Sequence, residues 1–388
     1  MPTLPRSGPL AGVRVVEIPN IGPLQFAGML LADMGADVLR LDRARDVATG
    51  SSVAGFVSPY SVVDRGRRSV GIDLKHTGGP EVVLRLCEQA DVLLEGFRPG
   101  VAERLGIGPD TCRARNERLI YGRMTGWGQD GPLAGDVGHD INYLAIAGVL
   151  WHIGPEGGPP IPPINLLADF GGGGSLVVIG VLAALVERAT SGTGQVVDAA
   201  MVDGSAQLMS IFFGIDAMGG WGPRGTNLLD GGAHFYGVYE TADHQYVSIA
   251  SYEPKFYANL LAVLGLDDLD PARQMDKAEW PALKERFTTI FHTRTRDEWV
   301  EFFEGHEVCF APVLPMSEAR AHPHNVERGT FVDVDGAPQP APAPRFDRTP
   351  SEVQRAPVAA GTDTDTALVD WGFAATDVEA LKASGAIA

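Results

Sequence analysis

The chain has 388 residues, of which 45% are hydrophobic and 21% charged, a composition typical of a globular protein with enough residues for two domains. Its formal net charge of −18 argues against nucleic acid or an acidic membrane as a general partner, because a phosphate polymer would be repelled at long range. Residues 1–125 carry 16 basic and 14 acidic side chains, so the other 263 residues carry a net charge of −20. We therefore expect any anionic small ligand to bind the N-terminal part.

The sequence also gives expectations about the compartment. The first residues, MPTLPRSGPLAG, lack a basic region followed by an apolar run, and the apolar stretch 176–186 is too short to cross a bilayer. We predict neither secretion nor membrane insertion. The cysteines Cys87, Cys112 and Cys309 are scattered and form no CxxC pair, which argues against a zinc site and favours a reducing cytoplasm.

The N-terminal third of the chain alternates β-rich and helical runs. Strands are predicted at 13–18, 37–42, 69–74, 91–97 and 119–124, with helices near 26–34 and 81–89. This alternation predicts an α/β fold with a mainly parallel sheet and helices on its faces. The turn after the first strand reads PNIGPLQ and contains no GxGxxG, so a dinucleotide site of the NAD type is not expected.

The rest of the chain predicts the completion of this domain and a second, smaller one. Helices are expected at 138–149, 172–187, 201–213, 256–264, 280–291, 297–303 and 377–384, a strand at 195–198 and a hairpin at 235–251. We predict a large domain at 1–200 that is completed by 345–388, a Gly-rich linker at 201–229, a small α+β domain at 230–320 and a return linker at 321–344. Within that return linker, GAPQPAPAP (336–344) is too Pro-rich for regular structure.

Two acid–base candidates stand at the starts of predicted helices. GHDINY (138–143) places His139 and Asp140 there, where a histidine can act as a base but can also cap a turn. NLLADFGGGGS (165–175) places Asp169 before four glycines, and an aspartate in that place is most often a helix N-cap. Taken alone, each residue favours the structural alternative.

The glycine run 171–174 favours a functional interpretation. Residues without side chains let a ligand approach the backbone, and a helix start offers free N–H groups and a positive dipole end, which suit a developing oxyanion or enolate. No Gly-Lys-Ser/Thr follows, so the run is not a P-loop. The DFG tripeptide stands without the other kinase motifs.

Basic side chains recur near predicted strand ends. Arg43, Lys75 and Arg98 follow three strands, and Arg65 precedes another. The carboxyl ends of strands in an open parallel sheet form its ligand crevice. Solvated surface charge explains any one of these residues, whereas their recurrence favours a polyphosphate ligand.

Several long motifs resemble one enzyme family, the α-methylacyl-CoA racemase branch of the family III CoA-transferase superfamily. The resemblance runs from about Gly8 to Phe346. The motifs are GADVLRLDR (35–43), RPGVAERLGIGP (98–109), RLIYGRMTGWGQDGP (118–132), GHDINYLAIAGVL (138–150), NLLADFGGGG (165–174), GTGQVVDAAMVDG (192–204) and NLLDGGAHFY (227–236). The tail after Arg355 has no clear counterpart.

This resemblance implies a Rossmann-like large CoA-binding domain, a small α+β domain and an interlocked homodimer. Each active site would lie between the large domain of one protomer and the small domain of its partner. His139 and Asp169 would be the two catalytic bases, Glu253 the small-domain partner of the histidine, and Asp140 a further member of the catalytic group. The implied CoA and substrate contacts are Ile21, Arg43, Arg65, Gly71, Ile72, Asp73, Leu74, Lys75, Glu95, Gly96, Phe97, Arg98, Arg104, Gly138 and Tyr143.

The expected reaction is the interconversion of the 2R and 2S epimers of 2-methylacyl-CoA thioesters. One base removes the weakly acidic α-proton, and the other protonates the opposite face of the resulting enolate. No metal or redox cofactor is expected, since CoA is part of the substrate. The alternatives are CoA transfer through an acyl anhydride of Asp169, and acyl-CoA binding without catalysis. The histidine in GHDINY favours the racemase, because the transferases of the superfamily generally lack it.

Overall fold

The fold is described from a computed structural model for residues 7–18, 21–49 and 60–388. Residues 1–6 of the N-terminal segment, and Pro19 and Asn20 of the PNIGPLQ turn, lie outside the described residues. The chain divides into two compact units. The first comprises Met1–Ala147, Ile164–Leu208 and Gly329–Ala388, and the second Gly148–Pro163 and Met209–Arg328. The segment 148–163, which was expected in the large domain, lies in the second unit. The segment 329–344, which was expected in the return linker, lies in the first unit.

The first unit is built on a parallel sheet, which confirms the predicted α/β fold. Its strands in the described residues are β1 (Arg14–Glu17), β2 (Asp37–Arg43), β3 (Arg68–Ile72), β4 (Val92–Glu95), β5 (Ile120–Thr125) and β6 (Val196–Ala200). They pair in parallel in the order β3-β2-β1-β4-β5-β6. The inner strands are buried on both faces, and this burial includes polar side chains such as Arg40 and Asp42 of β2.

Helices cover both faces of this sheet. They are α1 (Pro23–Asp33), α2 (Ala44–Thr49), α3 (Gly79–Cys87), α4 (Val101–Arg104), α5 (Pro109–Arg115), α6 (Asp140–Ile146), a π-helical segment (Leu166–Ser175), α7 (Leu176–Ser191) and α8 (Met201–Leu208). Because successive strand residues point to opposite faces, Val16 packs in the core formed with α3 and α5, whereas Val15 packs in the core formed with α1 and α7.

A buried ion-pair network ties β1 to the segment before β3. The guanidinium of Arg67 donates to both carboxylate oxygens of Glu17 (2.6 and 2.7 Å) and to Asp64 (2.7 Å), and all three side chains are buried. Burial raises the pKa of Glu17, which Arg67 opposes. Removing either partner would leave an uncompensated charge in the core, which makes the network a strong constraint on this edge of the unit.

The second unit has its own aromatic core. Its elements in the described residues are α9 (Ser210–Ala217), β7 (Tyr236–Glu240), β8 (Tyr246–Ala250), α10 (Pro254–Val263), α11 (Trp280–Phe291), α12 (Arg296–Phe303), β9 (Phe310–Val313), α13 (Met316–Ala321) and α14 (Pro323–Arg328). The expected hairpin is β7–β8, and β9 adds a third antiparallel strand. Phe287, Phe291 and Trp299 fill the space between this sheet and the helices.

The Pro-rich segment expected to be irregular forms a strand instead. In the first unit, β10 (Phe331–Val334) pairs antiparallel with β11 (Ala337–Pro340). Pro338 and Pro340 occupy every second position of β11. Ala341, which directly follows Pro340 and so belongs to the other set of alternate positions, donates its N–H to Thr330 O (2.9 Å). The prolines therefore fall where an edge strand needs no donor, which the composition alone did not reveal.

The end of the chain folds back on the first unit through α15 (Thr364–Asp370) and α16 (Ala375–Ser384), the second of which matches the predicted helix at 377–384. Trp371 is buried and donates to the carboxylate of Asp37 (3.0 Å). Asp363 accepts from Ser69 N (3.0 Å) at β3. The tail is thus part of the large unit's core.

One helical stretch among the described residues, Leu166–Ser191, has the length and hydropathy of a membrane-spanning helix, and the core helix of a soluble protein meets the same criteria. It is interrupted by the change from π to α geometry at Leu176. Val177, Val181 and Ala184 pack in the core beneath the sheet. Ile179 and Val186 point outward and are exposed.

A buried histidine makes the stability of the second unit pH-dependent. The Nε2 of His234 bonds the hydroxyl of Tyr257 (2.8 Å), and its Nδ1 has no hydrogen-bond partner in the described part of the chain. Phe235 and Phe287 pack edge-on against the ring. Burial lowers the pKa of His234 from 6.5 to about 4, because the charged ring would be desolvated.

We predict that stability falls as the pH falls from about 6.5 to 4. In this window the unfolded chain binds a proton at residue 234 and the folded chain does not, so the contribution is present above pH 6.5 and is lost on acidification. The loss amounts to up to about 3 kcal/mol. Urea unfolding of His234→Gln should show a shallower dependence across this window, whereas the exposed-site control His306→Gln should follow the wild type. Equal slopes for all three proteins would contradict the prediction.

Candidate active site

The strand order places the candidate site. The chain runs outward from β1 through β2 to β3, and then returns to start again with β4 on the other side of β1. The loops that follow β1 and β4 therefore leave the sheet in opposite directions, which opens a crevice at the carboxyl ends of the two strands. Ile18 and Ile21 follow β1, and Gly96–Pro99 follow β4; all of them line cavities at this edge.

One cavity, of about 330 Å³, contains both acid–base candidates; we call it the His139 cavity. Its walls come from the loops after β1, β4 and β5, from the segment 134–143 and from the π segment. The lining residues are Ile21, Pro23, Gly96, Phe97, Arg98, Pro99, Met124, Thr125, Gly126, Trp127, Ala134, Asp136, Val137, Gly138, His139, Tyr143, Asp169 and Met201.

A second cavity, of about 580 Å³, lies at the carboxyl ends of β2 and β3; we call it the Arg43 cavity. Three cationic side chains, Arg43, Arg45 and Lys75, line it together with Asp73. The remaining lining is mostly apolar: Ile18, Leu41, Ala44, Ile72, Leu74, Phe97, Val101 and Leu105. Phe97 belongs to both cavities, so they adjoin along the loop after β4.

The two acid–base residues are held by a short chain of contacts. His139 precedes α6 and is exposed, and its N–H donates to the side chain of Asn142 (3.0 Å). The next residue, Asp140, is buried, and its Oδ2 accepts from the backbone N–H groups of both Ala168 and Asp169 (2.9 Å each). One carboxylate thus caps the start of the π segment and fixes the two catalytic candidates relative to each other.

The environment of Asp169 changes its acidity. Burial raises the pKa of Asp169, and the neighbouring charge of Asp140 raises it further, against the opposing hydrogen bond from Asn165 (3.2 Å) and the attraction of His139. Burial also raises the pKa of Tyr143, whose ring packs edge-on against Trp127 and whose hydroxyl donates to Gly138 O. A carboxyl group with a raised pKa is a better proton donor near neutral pH.

The glycine run has a packing role that the sequence did not indicate. A Cβ on Gly172 would lie 2.8 Å from Ser205 N of α8, one on Gly173 2.8 Å from Met201 Cγ, and one on Gly174 2.7 Å from Pro23 O of α1. None of the four glycines lines the His139 cavity, and the amides of Ala168 and Asp169 are occupied by Asp140. The expectation that these glycines open the backbone to a ligand is therefore wrong. Gly172, Gly173 and Gly174 let the π segment fit between α1 and α8.

The two cavities gather most of the predicted contacts. Ile21, Gly96, Phe97, Arg98, Gly138 and Tyr143 line the His139 cavity, and Arg43, Ile72, Asp73, Leu74 and Lys75 line the Arg43 cavity, which Phe97 also reaches. The sequence did not single out Arg45 and Trp127. Arg45 follows the predicted strand 37–42, so the strand-end criterion for basic side chains that found Arg43 would also have found it. Trp127 follows the predicted strand 119–124 but is not basic, so that criterion does not reach it.

Four predicted contacts line neither cavity. Arg65 is buried and donates to both oxygens of Asp33 (3.1 and 2.6 Å) and to Gln339 (2.8 Å), so its donors are used within the fold. Glu95 is buried, accepts from Phe97 N (2.7 Å) and Arg123 (2.8 Å), and shapes the loop after β4 from beneath. Gly71 and Arg104 lie outside both linings.

Glu253 lies in the second unit, directly before α10, where it is exposed. Its pairing with His139 stays a prediction.

The fold and the site define a class of protein: an open parallel α/β unit with two candidate acid–base residues and a cationic cavity at the carboxyl edge of its sheet. The chain belongs to the CoA-transferase family III, whose model matches residues 10–364. This membership confirms the predicted family.

The particular relatives are close. The chain is 46% identical over 373 residues to alpha-methylacyl-CoA racemase of Mus musculus, covering 95% of each chain. It is 41% identical over 384 residues to alpha-methylacyl-CoA racemase of Homo sapiens, covering 96% of each. A crystal structure of a CaiB/BaiF family protein from Brucella suis is similar with a TM-score of 0.78 and 25% identity, covering 94% of this chain and 100% of that one.

We predict that Gly204→Ala destabilises the first unit by about 1–3 kcal/mol, because the new Cβ would lie 2.0 Å from the backbone oxygen of Gly172 and no side-chain rotation relieves the overlap. The matched control is Gly214→Ala on α9, where a Cβ meets nothing within 4 Å and helix propensity favours alanine by up to about 1 kcal/mol. Urea unfolding of both variants tests this. Equal stability of Gly204→Ala and Gly214→Ala would contradict the close approach of the α8 backbone to the π segment at Gly172.

Proposed function

We propose that this chain is an isomerase that interconverts the 2R and 2S epimers of 2-methylacyl-CoA thioesters. The observation that carries the proposal is that His139 and Asp169 line one cavity, which adjoins a second cavity with three cationic side chains. The close similarity to two alpha-methylacyl-CoA racemases supports the same reaction.

The two cavities suit the two ends of such a substrate. The adenosine and phosphate groups of CoA would occupy the Arg43 cavity, where Arg43, Arg45 and Lys75 supply positive charge and the apolar walls accept the adenine. The pantetheine arm would pass Phe97, which borders both cavities. The thioester and its α-carbon would then lie between His139 and Asp169.

The proposed chemistry is a proton transfer with two bases and no metal or redox cofactor. In one direction neutral His139 removes the α-proton, the electrons move onto the thioester oxygen as an enolate, and protonated Asp169 returns a proton to the opposite face of the carbon. The reverse reaction exchanges these roles. The raised pKa of Asp169 favours its function as a donor.

The proposed assembly is an interlocked homodimer in which Glu253 of one protomer meets His139 of its partner. A carboxylate at that place would orient the imidazole and stabilise its charged form. Exposed apolar side chains support an extensive interface between copies: Ile179 and Val186 on α7, and Ile211 and Phe213 on α9.

For the two bases, we predict that His139→Ala and Asp169→Ala each lower racemisation by about a hundredfold or more, because one of the two proton transfers lacks its group. Each variant should still exchange the α-proton of one epimer, and the surviving epimer should differ between them. Deuterium uptake from each pure epimer of a 2-methylacyl-CoA measures this. A conservative surface variant that lines neither cavity, Asp110→Asn on α5, serves as the control.

Exchange of the same epimer by both variants would rule out the two-base assignment. CoA transfer through an anhydride of Asp169 gives a different pattern: His139→Ala would retain transfer between carboxylates, and Asp169→Ala would abolish it without any difference between epimers. Trapping with hydroxylamine then labels Asp169 in the wild type.

For the assembly, we predict that His139→Ala and Glu253→Ala complement each other. If each site combines His139 of one chain with Glu253 of the other, a mixed dimer contains one doubly altered site and one intact site. Co-expressing the two variants with different tags and purifying the doubly tagged dimer should restore up to half of the wild-type activity. The control pair is His139→Ala with Asp169→Ala, which should not complement because both residues lie in the first unit. Equal, low activity in both mixtures would contradict the shared site.

A further inference from the structure

The Arg43 cavity has a wall at the edge of the sheet. Strand β3 is one of the two edge strands of the six-stranded sheet, and Ile72–Lys75 at its carboxyl end form part of the cavity lining. An edge strand presents unpaired N–H and C=O groups, so by itself it leaves such a wall poorly fixed.

Residues 386–388 cover that edge. Ile387 forms an antiparallel bridge with Ile72, Asp73 N donates to Ala386 O (3.0 Å), and Ala388 N donates to Gly71 O (3.1 Å). Ala386 and Ile387 are buried. Residues 386–388, which follow α16, therefore hold the backbone of β3 at the wall of the Arg43 cavity.

A single hydroxyl joins this segment to β3. The Oγ1 of Thr364, at the start of α15, accepts from Gly71 N (3.0 Å) and lies 2.7 Å from Ala388 O and 3.0 Å from Gly361 O, one of which takes its proton. Thr364 is only 3% exposed, so these bonds do not compete with solvent. The hydroxyl contacts both partners of the edge pairing.

The residues around Thr364 also contact the opposite wall of the Arg43 cavity, which helix α2 forms. Helix α2 carries Ala44 and Arg45 into the cavity lining, and its Val47 Cγ2 would lie 2.5 Å from a Cβ on Gly71 and 2.7 Å from one on Gly361. The two glycines thus bring α2, β3 and residues 386–388 into direct contact. Any loosening of this cluster would change the spacing between Arg45 on one wall and Lys75 on the other.

We propose that Thr364 and the segment 386–388 are positioning residues for the nucleotide end of the substrate: they set the geometry of the Arg43 cavity and thereby the preference for a thioester that carries adenosine phosphates. The inference rests on the proposed function, which places those phosphates in this cavity. None of these residues lines the His139 cavity, so they act on substrate binding and not on the proton transfers.

The test uses Thr364→Val, which removes the hydroxyl and keeps the shape. The KM and kcat for a 2-methylacyl-CoA are compared with those for the matching acyl-pantetheine thioester, which lacks the nucleotide. Calorimetry with CoA and with pantetheine gives the two dissociation constants without any need for turnover. Thr366→Val, on the exposed side of the same helix, is the matched control, and Thr364→Ser restores the hydroxyl.

We expect Thr364→Val to raise the KM for acyl-CoA and the dissociation constant of CoA by roughly fivefold, the effect of one net hydrogen bond. The acyl-pantetheine values and both kcat values should stay within about twofold, and Thr366→Val and Thr364→Ser should match the wild type. Equal changes for both substrates, or no change for either, overturn the proposal. If Thr364→Val does not fold, Ala388→Pro removes the donor to Gly71 O and is judged by the same comparison.

Failure of the proposed function has a different signature. A wild-type protein that binds CoA no more tightly than pantetheine contradicts the placement of the nucleotide in the Arg43 cavity. A wild type that binds CoA but exchanges no α-proton contradicts the racemase, while the effect of Thr364→Val on the CoA dissociation constant still decides the positioning role.

Discussion

The carboxylate of Asp140 bonds the amides of Ala168 and Asp169, and the candidate site depends on this one contact. It joins the helix that begins next to His139 to the segment that carries Asp169. Without it, the N–H groups of Ala168, which is buried, and of Asp169, which is partly buried, would lose this partner at the start of the π segment. Burial raises the pKa of Asp169 and the charge of Asp140 raises it further, so the same carboxylate positions the second candidate base and contributes to its acidity.

Close packing between helix backbones places the π segment where Asp140 can bond the amides of Ala168 and Asp169. The π segment lies between α1 and α8, where glycines at 172, 173, 174 and 204 leave no room for a Cβ. A wider π turn changes the direction of Asp169 relative to the following helix α7, which stays anchored in the core beneath the sheet. The position of Asp169 relative to His139 is therefore a consequence of how the π segment, α1 and α8 approach one another.

Charge in the first unit serves two separate purposes. Arg67, Glu17 and Asp64 are buried together, as are Arg65 and Asp33, and their charges are neutralised within the fold. Arg43 and Lys75 instead line a cavity at strand ends. The sequence presents all of these arginines and lysines in the same short region, and only burial separates the structural ones from those available to an anionic ligand.

The sequence by itself determined the α/β fold, most strand positions, the family and the residues His139 and Asp169, because apolar periodicity and ordered motifs are local properties of the chain. Local patterns did not indicate that Arg65 and Glu95 face inward, that the glycine run packs against helices or that the Pro-rich segment 337–340 pairs as a strand. They assigned 345–388 to the large domain but did not indicate which residues the tail would contact. Each of these depends on a partner distant in sequence: Gln339 for Arg65, Arg123 for Glu95, Gly204 for Gly172, and Gly71 for Ala388. Such contacts form only when the chain is folded, so tertiary structure alone decided them.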